Sequence, residues 1–514
     1  MAQGGDSQGR GRVQTGAPGR AATAEQGVLF PLGPDGRRST ASTGKAVWAD
    51  AVRGVDDVLG ARIGQARDWR KEYVRAVVSH TAAATRTPDA SVTVARQGLA
   101  SLAGRLRFER DGASNPVAGA LRHGRQDLSA RTVRGEGQRV RELVVPYRGE
   151  QLSGDRLRRQ VDAWVGGGGA EPSFATAVHR LLDEPAMLDL SDRAFALLGA
   201  GAELGPLEPL SQWGAKVLAV DVPQERVWQR VLATARAGSG TLTAPESADG
   251  SLGVDLLTQT PEVAAFLQAF ADGLPLTVGS YAYADGARHV QVVHASDALV
   301  QLLLDERPDT SYAELATPTD AFAVPLEVVQ DSRRRWQSRG WRRAPQLPLR
   351  TAARGGLFAP AYGTVVQRSS GSGAAGPEVG IADALIPQQG PNYTLAKRVQ
   401  RWRAVAAQAD GHLVSANVAP ATRTRSVLKN RLLAAAYAGA GRFGVEVFSP
   451  ATSRVLMAAL LVHDLRVQTP PPAAPDDLFA AQALHGGLWR IGYDVRSVLG
   501  LAAVTGLPRV LLRR

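Results

Sequence analysis

The segment Ala194-Phe-Ala-Leu-Leu-Gly199-Ala-Gly201-Ala-Glu-Leu-Gly205 constrains this chain more than any other. Its five consecutive apolar residues run into a turn with glycines at 199, 201 and 205, and a second apolar run, Lys216-Val-Leu-Ala-Val-Asp221, follows. An apolar run without polar alternation suits a strand buried on both faces, as in a parallel sheet covered by helices. Glycines let the backbone turn tightly and approach another group closely. Strand, glycine turn, helix and strand in succession place the chain in the α/β class.

Further strands are expected at 276–283, 289–294, 363–367 and 412–418, with helical periodicity at 261–270, 297–304 and 393–407. The 514 residues fit two or three domains. Residues 1–42 are rich in Gly, Ser, Arg and Gln, and are expected to be a disordered basic tail. Apolar residues at helical spacing, such as Val47, Ala51, Val55 and Leu59, predict a mainly helical module over 43–190. The α/β domain is placed at 191–469. Beyond the proline-rich stretch from Pro470 to Pro475, a helical segment is expected to 514.

Composition removes several function classes. The chain has no cysteine, which excludes disulfides, thiolate metal sites and cysteine nucleophiles and fits a cytoplasmic protein. Its net charge of +12 comes mainly from arginine in an Ala- and Gly-rich background. No interleaving of aromatic and basic residues accompanies it, so the charge gives no strong evidence for nucleic acid as a partner. No apolar run reaches the roughly 18 residues of a membrane span. The expected partner is a small-molecule substrate, with a homo-oligomer also open.

The glycine turn carries the first chemical reading. A strand ending in such a turn brings backbone close to a pyrophosphate, and a carboxylate closing the second strand accepts hydrogen bonds from ribose hydroxyls. Gly199, Gly201 and Gly205 would hold the phosphates and Asp221 the ribose. The fold is then a doubly wound, parallel Rossmann sheet. A carboxylate there repels a 2′-phosphate, so NAD is expected over NADP. The spacing Gly-x-Gly-x-x-x-Gly is one residue from the commonest fingerprint. The first motif of adenosylmethionine methyltransferases, or a glycine turn with no ligand, fits the same stretch.

A second motif, Tyr393-Thr-Leu-Ala-Lys397, places a phenol and an ammonium one turn apart on a helix. A lysine near a tyrosine lowers the phenol's pKa and readies it to exchange a proton with a substrate oxygen. Here the chain resembles the short-chain dehydrogenase/reductase superfamily, whose members carry this Tyr-x-x-x-Lys. The resemblance covers about residues 190–465. It implies Tyr393 as acid/base and Lys397 as its activator and anchor for the nicotinamide ribose. Gly363-Thr-Val-Val-Gln-Arg-Ser369-Ser370 is similar to the family's fifth strand, which implies Ser370 (or Ser369) as the group that polarises the substrate oxygen. The wide interval between Ser370 and Tyr393 resembles that of the family's extended branch. His412 to Thr424 looks like the sixth strand, with Pro420 beside the nicotinamide, and His289 to Ala295 is similar to the fourth. The long interval from Gly199 to Tyr393 requires an insertion near 300–360.

The leading expectation is therefore an NAD(P)-dependent oxidoreductase acting on a carbonyl or secondary alcohol. An adenosylmethionine methyltransferase would use the glycine turn and Asp221 but leave Tyr393 and Lys397 without a role. A non-catalytic nucleotide sensor or scaffold is the third reading. His289 and His294 read as packing histidines, and Thr317-Pro-Thr-Asp320 as a turn rather than a catalytic acid.

Overall fold

The structure is a computed structural model and describes residues 25–124, 126–270, 273–338, 346–354, 356–370 and 374–511. Its centre is a seven-stranded sheet. In chain order the strands are β1 (Ser129–Arg134), β2 (Ala194–Leu198), β3 (Lys216–Val220), β4 (Thr241–Glu246), β5 (Leu276–Ser280), β6 (Ser311–Ala316) and β7 (Val414–Val418). Their spatial order is β7-β6-β5-β2-β3-β4-β1. Strands β2 to β7 are all parallel, and β1 closes the edge antiparallel to β4. From β2 the chain steps outward through β3 and β4, then returns to the other side of β2 and proceeds through β5, β6 and β7. The winding therefore reverses between β2 and β5.

Every residue of β2 is buried, and the period of two divides them between layers. Ala194, Ala196 and Leu198 join a cluster that includes Trp48, Leu102, Leu299 and Val399, from four helices on one face of the sheet. Phe195 and Leu197 join Val161, Phe174, Trp228 and Leu460 on the other. Helices on both sides make three layers, and a strand between them has no solvent face, which is why β2 shows no polar alternation.

The helix Gly390–Ala409, which carries Tyr393 and Lys397, is covered in turn by the N-terminal helices. Gly98 in helix Pro88–Arg105 sits so close to Trp402 that a Cβ there would lie 2.5 Å from its ring. Trp48 meets the same ring edge-on at 5.5 Å. The N-terminal segment is thus part of the core. It also carries more strand than its helical pattern predicts: β1 extends the main sheet, and Val145–Tyr147 pairs with Glu150–Leu152 as a hairpin.

The expected disordered tail is corrected over residues 25–42. Gly27–Leu29 pairs antiparallel with Arg107–Arg110, and helix Thr40–Ala51 begins inside the stretch. Val28, Leu29 and Phe30, an apolar triplet in a polar region, are all buried, and Gln291 donates to the Val28 carbonyl at 2.7 Å. Residues 1–24 of that tail lie outside the described residues.

Two expected strands are corrected as well. His289 to His294 lies in helix Ala287–Glu306, whose buried positions run almost all round. A helix enclosed on every side shows no 3.6-residue stripe and resembles a strand in sequence. The strand expected at 363–367 is present as Val365–Ser369, but instead of joining the parallel sheet it belongs to a separate antiparallel sheet with Ala375–Asp383 and Ala321–Pro325. That small sheet and helix Leu326–Gln337 lie in an insertion between β6 and the Tyr393 helix. The C-terminal segment is helical only at Pro475–Phe479 and Val495–Leu511, interrupted by Gly486 and Gly487 at φ +66° and +100°. Among the described residues, no helix is long and apolar enough to cross a membrane.

Burial of Val28 makes a stability prediction. Val28→Ala removes two buried methyl groups and leaves a cavity, which should cost about 2 kcal/mol in urea unfolding. Leu32→Ala, four positions on and 61 % exposed, should change stability by less than about 0.5 kcal/mol.

Candidate functional site

The reversal of winding leaves the C-terminal ends of β2 and β5 leading their connections to opposite sides, and open α/β sheets bind ligands in the crevice this creates. A cleft of about 1270 Å³ opens there. Gly199, Gly201, Gly205 and Asp221 line it, and so do Tyr393, Lys397 and Pro420. Of the residues singled out from sequence, only the serine is elsewhere.

At one end, β2 runs into the glycine turn. Gly199 sits at φ +94°, and a Cβ on it would lie 2.4 Å from the Ala282 nitrogen after β5, so this crossing requires glycine. The Gly201 amide donates to one oxygen of Asp221 at 2.7 Å and the Val222 amide to the other at 2.8 Å. Both oxygens keep a lone pair for further donors. Burial raises the Asp221 pKa above the ordinary carboxylate value, against the opposing effect of those two amides. The helix after the turn is shorter than its sequence suggests. It spans only Leu207–Gln212, so the backbone of the turn itself, rather than a long helix dipole, faces the cleft.

At the other end, Tyr393 and Lys397 are half-buried in the cleft wall. Lys397 Nζ donates to the Leu315 carbonyl at 3.1 Å and to Gln400 Oε1 at 2.7 Å, which leaves one N–H for a ligand. Burial lowers the lysine's pKa, against the pull of Glu314 and Asp320. The Thr317 side chain stands beside the Tyr393 phenol and acts on its ionisation. The Tyr393 pKa is pushed up to about 12, first by burial, while the neighbouring Thr317 side chain opposes the rise. The expectation that Lys397 lowers it is not met: burial raises it, and Lys397 donates instead to Leu315 and Gln400.

Ser370 does not line the cleft. Its hydroxyl donates to the Ala374 carbonyl at 3.3 Å, next to the antiparallel strand that precedes it. The residue that follows β6, and so occupies the place expected for the serine, is Thr317. Thr317 Oγ1 lies 2.9 Å from Thr319 Oγ1, and both threonines line the cleft. Sequence reasoning passed over them because Thr-Pro-Thr-Asp reads as a turn. The signal available was its position directly after the strand-like run Tyr312 to Leu315.

His289 was passed over too. Its ring stacks on Tyr393 at 5.7 Å and meets Tyr283 at 4.8 Å. Burial, reinforced by Lys397, holds its pKa down at about 3, so the imidazole is neutral. Its Nδ1 accepts from the Ala284 amide at 3.4 Å, which puts the proton on Nε2. The ring therefore supports Tyr393 without adding a charge beside Lys397.

Glu314 lies in β6 on the same side as Tyr312 and Ala316, opposite Ser280 and Ala416 of the flanking strands. It is fully enclosed, and neither carboxyl oxygen has a hydrogen-bond partner among the described residues. Burial raises its pKa to about 7, against Lys397 and Arg401. Among the described residues no group of three His, Asp or Glu side chains is arranged to hold a metal. The chain matches no family model, and no curated protein matches it significantly.

Glu314 makes a pH prediction. A carboxyl with a folded pKa near 7 and an unfolded value near 4.5 binds more protons when folded. Its contribution to stability is therefore complete below about pH 4.5 and is lost as the pH rises through 7. Glu314→Gln should match wild type in urea unfolding at pH 4.5 and exceed it at pH 8 by up to about 3 kcal/mol. A difference that does not change with pH would show that Glu314 is ionised throughout.

Proposed function

We propose that the chain is an NAD-dependent oxidoreductase of a carbonyl or secondary alcohol, built on a dinucleotide-binding fold of the short-chain dehydrogenase/reductase type. One observation carries this reading. The glycine turn with Asp221, and Tyr393 with Lys397 and Thr317, line the same cleft although they are far apart in the chain. Counted from β2, the six parallel strands stand in the order 3-2-1-4-5-6, the order of the doubly wound dinucleotide-binding sheet. The cleft exceeds the roughly 300–1,000 Å³ of ordinary ligand sites, as a dinucleotide together with a substrate requires.

The residues fit the cofactor. Asp221 has lone pairs for ribose hydroxyls and a charge that disfavours a 2′-phosphate. Lys397 has one N–H for the second ribose. NAD, when bound, supplies the hydride acceptor or donor. Tyr393 moves the proton: its phenol gives one to the substrate oxygen in reduction and recovers it in oxidation. Thr317, in the same cleft wall as that phenol, directs the same oxygen, with Thr319 fixing its hydroxyl. Pro420 and Ala421 after β7 wall the space beyond. A methyltransferase would leave Tyr393, Lys397 and Thr317 without work.

Calorimetry with NAD, NADP and adenosylmethionine tests the binding half. NAD should bind most tightly, and Asp221→Ala should narrow its advantage over NADP; tightest binding of adenosylmethionine would overturn the proposal. For chemistry, a carbonyl and alcohol screen read by NADH absorbance should find a substrate. Tyr393→Phe should then lower turnover by about 10²–10⁴-fold while NAD still binds. Thr317→Ala should lower kcat, and Ser370→Ala should leave it unchanged. NAD binding without turnover on any compound would identify a nucleotide sensor instead.

The raised phenol pKa also predicts a pH asymmetry. With a pKa of about 12, Tyr393 is protonated at neutral pH and ready to donate. Carbonyl reduction should stay level from about pH 6 to 9, whereas alcohol oxidation should climb about tenfold per pH unit. Equal profiles in the two directions would remove Tyr393 as the proton carrier.

A further inference from the structure

Beside Tyr393 the cleft has a small apolar annex. It is a separate cavity of about 50 Å³, and Thr319, Ala421 and Tyr437 line both it and the main cleft. The Tyr437 phenol is close enough to Tyr393 to interact electrostatically with it, so the two spaces adjoin where chemistry is proposed. The remaining wall comes from the C-terminal part of the chain. Ala436 and Ala440 stand on one side, from helix Arg431–Gly439 and the turn after it, and Leu499 and Ala502 on the other, from helix Val495–Leu511.

The chemistry of this wall is one-sided. Apart from Thr319 and Tyr437, every lining side chain is hydrocarbon. The Thr319 hydroxyl is already engaged with Thr317. A polar group entering the annex would leave its water partners and find few replacements, at a cost an alkyl group does not bear. Interiors are close-packed, and an apolar void of this kind lowers stability unless something fills it. At roughly 10–15 Å³ per water-sized group, the annex holds about three to five non-hydrogen atoms.

We infer that the annex receives the alkyl arm of the substrate, and that the substrate class is a ketone or secondary alcohol bearing an apolar arm of about three to five carbons on the reacting carbon. This rests on the oxidoreductase proposal for its chemistry, but the annex itself is a property of the C-terminal helices. Ala421 and Tyr437 set the entrance, and Ala440 and Leu499 set the depth. The small residues at 436, 440 and 502 keep the space open where larger ones would fill it.

The test uses the full chain, NAD and the series 2-propanol, 2-butanol, 2-pentanol, 2-hexanol and 2-octanol. kcat/KM should climb about fourfold per methylene and level off once the arm fills the annex. Ala440→Leu should abolish the climb, and Leu499→Ala should move the plateau to a longer arm. A second readout needs no turnover: 2-hexanol should raise the Tm of wild type and not of Ala440→Leu. If no alcohol yields NADH but this Tm difference stands, the dehydrogenase reading fails and the apolar site remains. Should Ala440→Leu not fold, Leu499→Ala decides, because its Tm rise should be larger with 2-octanol than with 2-hexanol. Equal kcat/KM for 2-propanol and 2-hexanol, or equal Tm rises in wild type and Ala440→Leu, would overturn the inference.

Discussion

Asp320 ends the loop that carries Thr317 and Thr319, and its two oxygens receive Arg398 at 2.8 Å and Arg401 at 2.7 Å from the Tyr393 helix. All three side chains are buried. Burial would raise the Asp320 pKa, but the two guanidiniums outweigh it and hold the carboxylate ionised. The Arg401 guanidinium also lies over the neighbouring rings of Phe322 and Phe479, at 4.1 and 4.6 Å from their centres. Replacing such an enclosed set by hydrocarbon is often neutral, whereas removing one member strands charge and costs about 3–5 kcal/mol. Its value here is positional. The contact fixes the loop against the helix, and with it the Thr317 hydroxyl against the Tyr393 phenol.

The Tyr393 helix is thereby set from every side. Arg403 adds a two-pronged pair with Asp297 at 2.7 and 3.0 Å, which joins it to helix Ala287–Glu306. His289 on that same helix stacks on Tyr393. Trp402 closes against Gly98 and Trp48 of the N-terminal helices. The N-terminal region thus has a physical purpose: it covers the outer face of the helix that carries Tyr393 and Lys397.

Charge in this region is arranged with little water to screen it. Lys397 is held by a carbonyl and an amide oxygen rather than by a carboxylate in direct contact. Glu314, which acts on it electrostatically, is raised toward neutrality by burial, and His289 is kept neutral. The Lys397 ammonium thus stands beside a neutral imidazole at one end of the cleft, and the Asp221 carboxylate lies at the other.

Local sequence determined what depends on local chemistry. An unbroken apolar run, a turn that only glycine can make and an acid after the next strand specified β2, Gly199, β3 and Asp221, because each follows from residues within a few positions. The Tyr393–Lys397 pair was legible for the same reason, since a four-residue interval on a helix fixes a shared face. Other features were decided by contacts far apart in the chain. Val28 to Phe30 became core only because other elements enclose them, and a triplet in a polar stretch carries no mark of that. His289 to His294 became helix because burial on all sides erased the stripe that marks an amphipathic one. Ser370 and Thr317 both follow strand-like runs, and what separates them is pairing. The run before Thr317 lies parallel between β5 and β7, whereas the run before Ser370 pairs antiparallel with Ala375–Asp383 in another sheet. Pairing between distant strands sets which hydroxyl reaches Tyr393, so that choice belongs to the tertiary structure.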